Sequence, residues 1–174
     1  LETLAQKPVF AKPLAKRRCL IPADGFYEWR REGEGAKAPK TPMFIHPTDE
    51  REPFVFAGLW ERWKQPDGTE LHSCTVITRS PNELMASVHD RMPAILEPSR
   101  YEQWLDPKET SPDRLLPLLE AYPAERMSMH PVSREVNRPA NEGPSLIEPV
   151  EPEPIAAGSV APRRRQRSAG TTSD

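Results

Sequence analysis

RCLIPADGFYEWRR, residues 18–31, decides how this chain is built. It reads as two strands, RCLIPA (18–23) and GFYEWRR (25–31), joined by a short turn. In the second strand side chains alternate, so Phe26, Glu28 and Arg30 share one face while Tyr27 and Trp29 share the other. Glu28 stands between two large aromatics, which admits two readings. One is a solvent-facing glutamate on a half-exposed strand. The other is a carboxylate held in an apolar wall, its proton affinity raised by burial.

Outward from this stretch, EGEGAKAP reads as a loop, and PMFIH and PFVFAGLW read as strands. PDG at 66–68 signals a turn before the strand LHSCTVIT. Ser80 is expected to open a helix, with Pro81 at its first position and Glu83 completing a capping box. That helix, PNELMASVH, ends close to His89. Ser99 and Glu102 form a second such box before RYEQWL, and SPDRLLPLLEAY starts a third helix disturbed by Pro117. There is no internal repeat. Strands dominate the first half and short helices the second. The fold class expected is therefore α+β, a bent or barrel-like, mostly antiparallel sheet with short flanking helices.

From about Glu148 the composition changes to proline, alanine and serine without aromatics. Such a segment buries too little apolar surface to offset its ordering entropy. The expected organisation is one domain over 1–149 and a disordered tail over 150–174. The RRRQR cluster at 163–167 is balanced by acidic residues and reads as a solvated tail, with a nucleic-acid contact as the alternative.

Composition narrows the function classes. A net charge of -2, with 29% of the 174 residues charged, excludes a histone-like basic protein, so any nucleic-acid contact must be local. No apolar run approaches the roughly 18 residues that cross a membrane, and no signal peptide is visible. Cys19 and Cys74 are the only cysteines, and they form no disulfide framework. A reduced, cytosolic chain is the default expectation. His46, His72, His89 and His130 are scattered without ligand spacing, so no metal and no cofactor is expected. Cys74 lies in the strand SCTVIT, where a small buried thiol is the simpler expectation than a nucleophile for His89.

Three features carry chemistry. Glu28 is one. His89, in SVHDRMP at a helix end, is another: it is a simple cap or a proton shuttle that titrates near neutral pH. The third is the interleaving of Trp29, Trp60 and Trp63 with Arg30, Arg62 and Arg91. Aromatic faces stack on bases and guanidinium groups hold phosphates, although core packing is expected for at least two of these tryptophans.

RRCLIPADGFYEW, FAGLWERW, SCTVITRSPN, VHDRMPAIL and HPVSREVNRPANEGPSLIEP follow one another in an order that resembles the SRAP family, the SOS-response-associated peptidase-like proteins. The resemblance covers roughly residues 1–149. It implies a cysteine that becomes residue one by autocatalytic removal of the initiator methionine or a short leader. The amine and thiol of that residue condense with the open-chain aldehyde of an abasic site in single-stranded DNA, giving a thiazolidine link. By the match, Glu28 and His89 are the catalytic residues, Arg91 holds a DNA phosphate and Trp29 lies near the lesion. The implied partner is single-stranded DNA with abasic sites, for a protein associated with the nucleoid when bound. The resemblance fixes no oligomeric state, and a monomer is the working expectation. The family's Cys-Gly-Arg start and its Asn-Ala-Arg run would fall before Leu1. Cys19 and Cys74 cannot substitute, because the chemistry needs an α-amine and a thiol on one residue. The chain as written is thus expected to be inactive in crosslinking. The alternatives are a non-catalytic single-stranded DNA-binding remnant and a peptidase acting on other proteins.

Overall fold

Asp24–Gly25 is the point where the chain leaves one sheet for another. In the computed structural model, which describes residues 4–35 and 37–151, the strands on either side do not pair with each other. The strands are β1 Arg18–Ala23, β2 Phe26–Arg31, β3 Lys40–Pro47, β4 Phe54–Lys64, β5 Glu70–Val76, β6 Thr78–Arg79, β7 Met92–Pro93 and β8 Met127–Pro131. They form antiparallel sheets of order β1-β4-β5 and β2-β3-β8, with a small β6-β7 pair. The register sets Cys19 opposite Gly58, Trp60 opposite Cys74, Glu28 opposite Met43 and Phe44 opposite His130. Gly25 is required at the crossing. A Cβ there would lie 2.5 Å from the Ile45 carbonyl oxygen and 2.4 Å from the Phe44 ring.

Strand alternation builds two cores. Ile45, Phe54, Phe56, Met85 and Met92 meet in one cluster, and Phe26 stands edge-on to Phe56 with ring centroids 5.8 Å apart. The opposite face of β4 contributes Ala57 and Leu59 to a second cluster with Leu14, Trp104, Leu115 and Leu119. Full burial of one such side chain stabilises by about 1.5–3 kcal/mol, so these clusters dominate the fold.

The helices are α1 Pro8–Lys16, α2 Glu83–Ala86, α3 Tyr101–Leu105 and α4 Pro112–Leu115. A 3-10 turn at Leu116–Leu119 follows α4, where Pro117 was expected to disturb it. Three local expectations are corrected. Asn82, not Ser80, caps α2 through its side-chain oxygen. Ser99 makes no cap, because a 3-10 turn at Pro98–Arg100 leads into α3. Of the tryptophans, Trp60 and Trp63 are exposed, and Trp104 is the one sealed in the core.

Arg18 explains how α1 is held. It is a buried charged residue, and its guanidinium donates to five backbone carbonyls, those of Leu14, Ala15, Trp104, Asp106 and Glu109. These are the orphan carbonyls at the end of α1 and the turn after α3, which otherwise would lack donors. Burial pulls the Arg18 pKa down, while Asp106 and Glu109 push it back up.

The chain remains tied at its far end as well. Val132 bridges Pro149, and the Val150 N–H donates to the Pro131 carbonyl. The anticipated tail boundary near 150 therefore falls on paired residues, and 152–174 lie outside the described residues.

Candidate functional site

Glu28 sits at the centre of β2, half-buried, on the face that carries Phe26 into the apolar cluster. Its carboxylate has no ion-pair partner among the described residues. Tyr27 and Trp29 point to the opposite face, where Tyr27 packs on Phe44 and the Trp29 Nε1–H donates to Asn137 Oδ1 at 2.8 Å. The apolar wall beside Glu28 is thus Phe26 and the core behind it, while the flanking aromatics clamp the strand from outside.

His89 follows α2 in the turn before β7. Its backbone N–H bonds the Met85 carbonyl, and its neighbour Val88 packs on the same cluster as Phe26. The elements that carry Glu28 and His89 therefore share one apolar core. The imidazole is exposed. Its Nδ1 accepts the Arg91 backbone N–H at 3.0 Å and lies 3.1 Å from Asp90 Oδ1. These contacts suit two different protonation states. Neutral His89 accepts from Arg91 at Nδ1 and must carry its proton on Nε2. The imidazolium instead turns an Nδ1–H toward Asp90. In both states Nε2 carries a hydrogen that meets no acceptor among the described residues.

Arg91 is anchored rather than loose. Its Nη2 donates to the Thr78 carbonyl at 2.8 Å and to Thr78 Oγ1 at 3.3 Å, which fixes the side chain across the β6-β7 pair. Asn82 positions the segment from below. Its oxygen accepts the Met85 N–H, while its Nδ2 donates to the Tyr122 carbonyl at 2.8 Å. Residue-type reasoning passed over Asn82, although an Asn directly before Glu83-Leu84-Met85 is a helix-start signal. Asn82→Ala is expected to cost about 1–2 kcal/mol, because it removes the cap and leaves a buried carbonyl short of a donor. Chemical denaturation monitored by circular dichroism checks this; a change below about 0.3 kcal/mol would contradict the anchoring role.

The two cysteines are free thiols. Cys74 is exposed, which corrects the expectation of a buried thiol. Cys19 is partly covered, and burial pushes its thiol pKa up, with a further push from Cys74. β4 separates their strands, so their backbones stand about 10 Å apart, beyond disulfide reach. Among the described residues no group of three or more His, Cys, Asp or Glu is placed to hold a metal ion. No helix among them is long and apolar enough to cross a membrane.

The family model for the SOS response associated peptidase (SRAP) matches residues 1–139. The chain belongs to the SRAP family. Its SRAP relatives include the abasic site processing protein YoqW of Bacillus subtilis, 50% identical over 147 residues, covering 84% of this chain and 64% of YoqW. The abasic site processing protein HMCES of Gallus gallus is 36% identical over 170 residues, covering 86% of this chain and 49% of that protein. An X-ray crystal structure of a protein from Bacteroides thetaiotaomicron superposes with a TM-score of 0.76 at 32% identity, over 86% of this chain and 64% of that one. This SRAP chain thus spans between about half and 64% of the length of these relatives. The α+β, largely antiparallel architecture expected from the sequence is the one observed.

Proposed function

We propose that this SRAP domain processes abasic sites in single-stranded DNA, and that Glu28 and His89 are its proton-transfer residues. The carrying observation is the identity of half the aligned residues with an abasic site processing protein. The outward-facing Nε2 of His89 and the unpaired, half-buried carboxylate of Glu28 support the roles.

The chemistry proposed is condensation of an amino-terminal cysteine with the lesion aldehyde. The α-amine must be neutral to attack, and Glu28 accepts its proton. The nitrogen adds to the aldehyde carbon, and the resulting hydroxyl leaves as water with a proton from His89 Nε2. The thiol then gives its proton back to His89, and its sulfur adds to the same carbon and closes the thiazolidine, with one water released overall. Cys19 and Cys74 both lie within the chain and lack an α-amine. Neither of them can therefore form the thiazolidine. A covalent product requires a form that begins with the family's Cys-Gly-Arg start.

In this reading Arg91 holds a phosphate, and Trp29 contributes a ring close to the damaged nucleotide. Arg91→Ala is expected to weaken binding of intact and abasic single strands alike. It should also reduce the slope of log K against log salt by about 0.7, the value for one lost phosphate contact on a single strand. Fluorescence anisotropy titrations at several salt concentrations measure both. An unchanged slope would remove Arg91 from the DNA path.

A further inference from the structure

A cleft of about 670 Å³ opens between the β3–β4 turn, the segment after β7 and residues 122–126. Neither Glu28 nor His89 lines it. Phe54 and Ile95 form its apolar floor, Tyr101 and Tyr122 its walls, and Glu52 and Glu125 stand at its edge. Its volume suits a ligand rather than a trapped water. A second hollow of about 220 Å³ shares Ile95 and Tyr122 with it and adds Glu97 and Glu120, so the surface continues as a groove.

The groove already contains one worked example of what it binds. The Arg126 guanidinium lies over the Tyr122 ring, 5.1 Å from its centroid, and its Nη1 donates at 2.8 Å to both oxygens of Glu97. Glu52 lies 3.9 Å from the same guanidinium. Burial raises the pKa of Tyr101 and of Tyr122, Arg126 opposes the rise, and Glu52 and Glu97 add to it. Arg100, the other cation of the groove, is held by the Pro117 and Leu118 carbonyls and by Glu120. Both internal cations are thus committed. An incoming group meets aromatic faces and carboxylates, which repel a phosphate backbone and attract a cation on an apolar stem.

We propose that this cleft docks an extended, arginine- or lysine-bearing segment of a protein partner, with a cation over Tyr101 between Glu52 and Glu125. The groove's acidic edge and its run past Tyr122 match that occupant in charge and shape. The proposal is independent of the abasic-site reading.

The test is anisotropy of a dye-labelled Gly-Leu-Arg-Leu-Arg-Gly peptide with the full chain at 0.15 M salt. Saturable binding is expected at a Kd on the order of 10–100 µM, and none for the same peptide with glutamate in place of arginine. E52K/E125K should weaken binding about tenfold or more, and Tyr101→Ala about fivefold. E34K/E142K, the same charge change at exposed sites away from the cleft, should leave binding unchanged. Equal weakening by the control pair would reduce the effect to non-specific charge and overturn the proposal. No weakening by E52K/E125K would also overturn it. So would binding of a 15-nucleotide oligothymidine that Tyr101→Ala abolishes, because the cleft would then take nucleic acid.

Discussion

His89→Ala, in a form of the protein that begins with the family's cysteine, is expected to slow crosslinking to abasic single-stranded DNA on the order of 10²-fold at saturating DNA, and to leave binding of intact DNA nearly unchanged. The expectation follows from the division of labour proposed for one short turn. Arg91 and His89 are joined through the Arg91 backbone N–H and His89 Nδ1, but their side chains serve different atoms. The Arg91 guanidinium is fixed by Thr78, and the imidazole presents Nε2 outward. Removing the imidazole leaves the Arg91 anchor in place, so the loss falls on transition-state stabilisation rather than on affinity. A gel time course at two DNA concentrations separates the cases. Equal slowing that disappears at saturation would make His89 a binding residue. A wild-type rate at saturation would make it a cap for the turn.

Arg18→Ala is expected to destabilise the domain by about 3–5 kcal/mol, among the largest losses available to a single substitution. Five backbone carbonyls from α1, α3 and the turn after it converge on one guanidinium. Deleting that group leaves them without donors and removes the cation that lies 5.7 Å from the Trp104 ring centroid. Arg18→Lys should recover less than half of the loss, since an ammonium has three donors and no planar fork. Urea unfolding measures both variants. A loss below about 1 kcal/mol for the alanine would show that the helices dock without the strut.

The contrast between these residues shows what the sequence reveals and why. Period-two alternation made β2 and β4 legible, because one face of each strand packs on a core. The same alternation cannot say which strands pair. β1 and β2 go to different sheets, and that depends on Gly25 passing the Phe44 ring and the Ile45 carbonyl, a contact twenty residues away. β8 was not anticipated, since MSMHP is short and its ladder to β3 is distant in sequence. α1 was missed too. It holds prolines at positions 8 and 13, and Arg18 secures it by bonding its last-turn carbonyls while reaching the distant Trp104 and Asp106 carbonyls, rather than helix propensity doing so. Core packing was expected for at least two of Trp29, Trp60 and Trp63, yet Trp60 and Trp63 lie where β4 and β5 run beyond both clusters.

The site divides along the same line. Glu28 and His89 were each ambiguous by residue chemistry, and only the ordered motifs around them single them out. The structure adds local geometry: the face of β2 on which Glu28 sits, the two protonation settings of His89 and the Thr78 anchor of Arg91. Asn82 bonds the distant Tyr122 carbonyl, and three of the five carbonyls on Arg18 come from residues 104–109, so no local pattern identifies these partners.

The most direct test is a denaturing gel of the protein, with and without an amino-terminal Cys-Gly-Arg start, after incubation with single-stranded DNA that carries one abasic site. The account predicts a heat- and detergent-stable protein–DNA band only for the form with the terminal cysteine, and loss of most of that band's rate on Glu28→Gln. A covalent band from a form without that terminal cysteine, or a wild-type rate for Glu28→Gln, would contradict it.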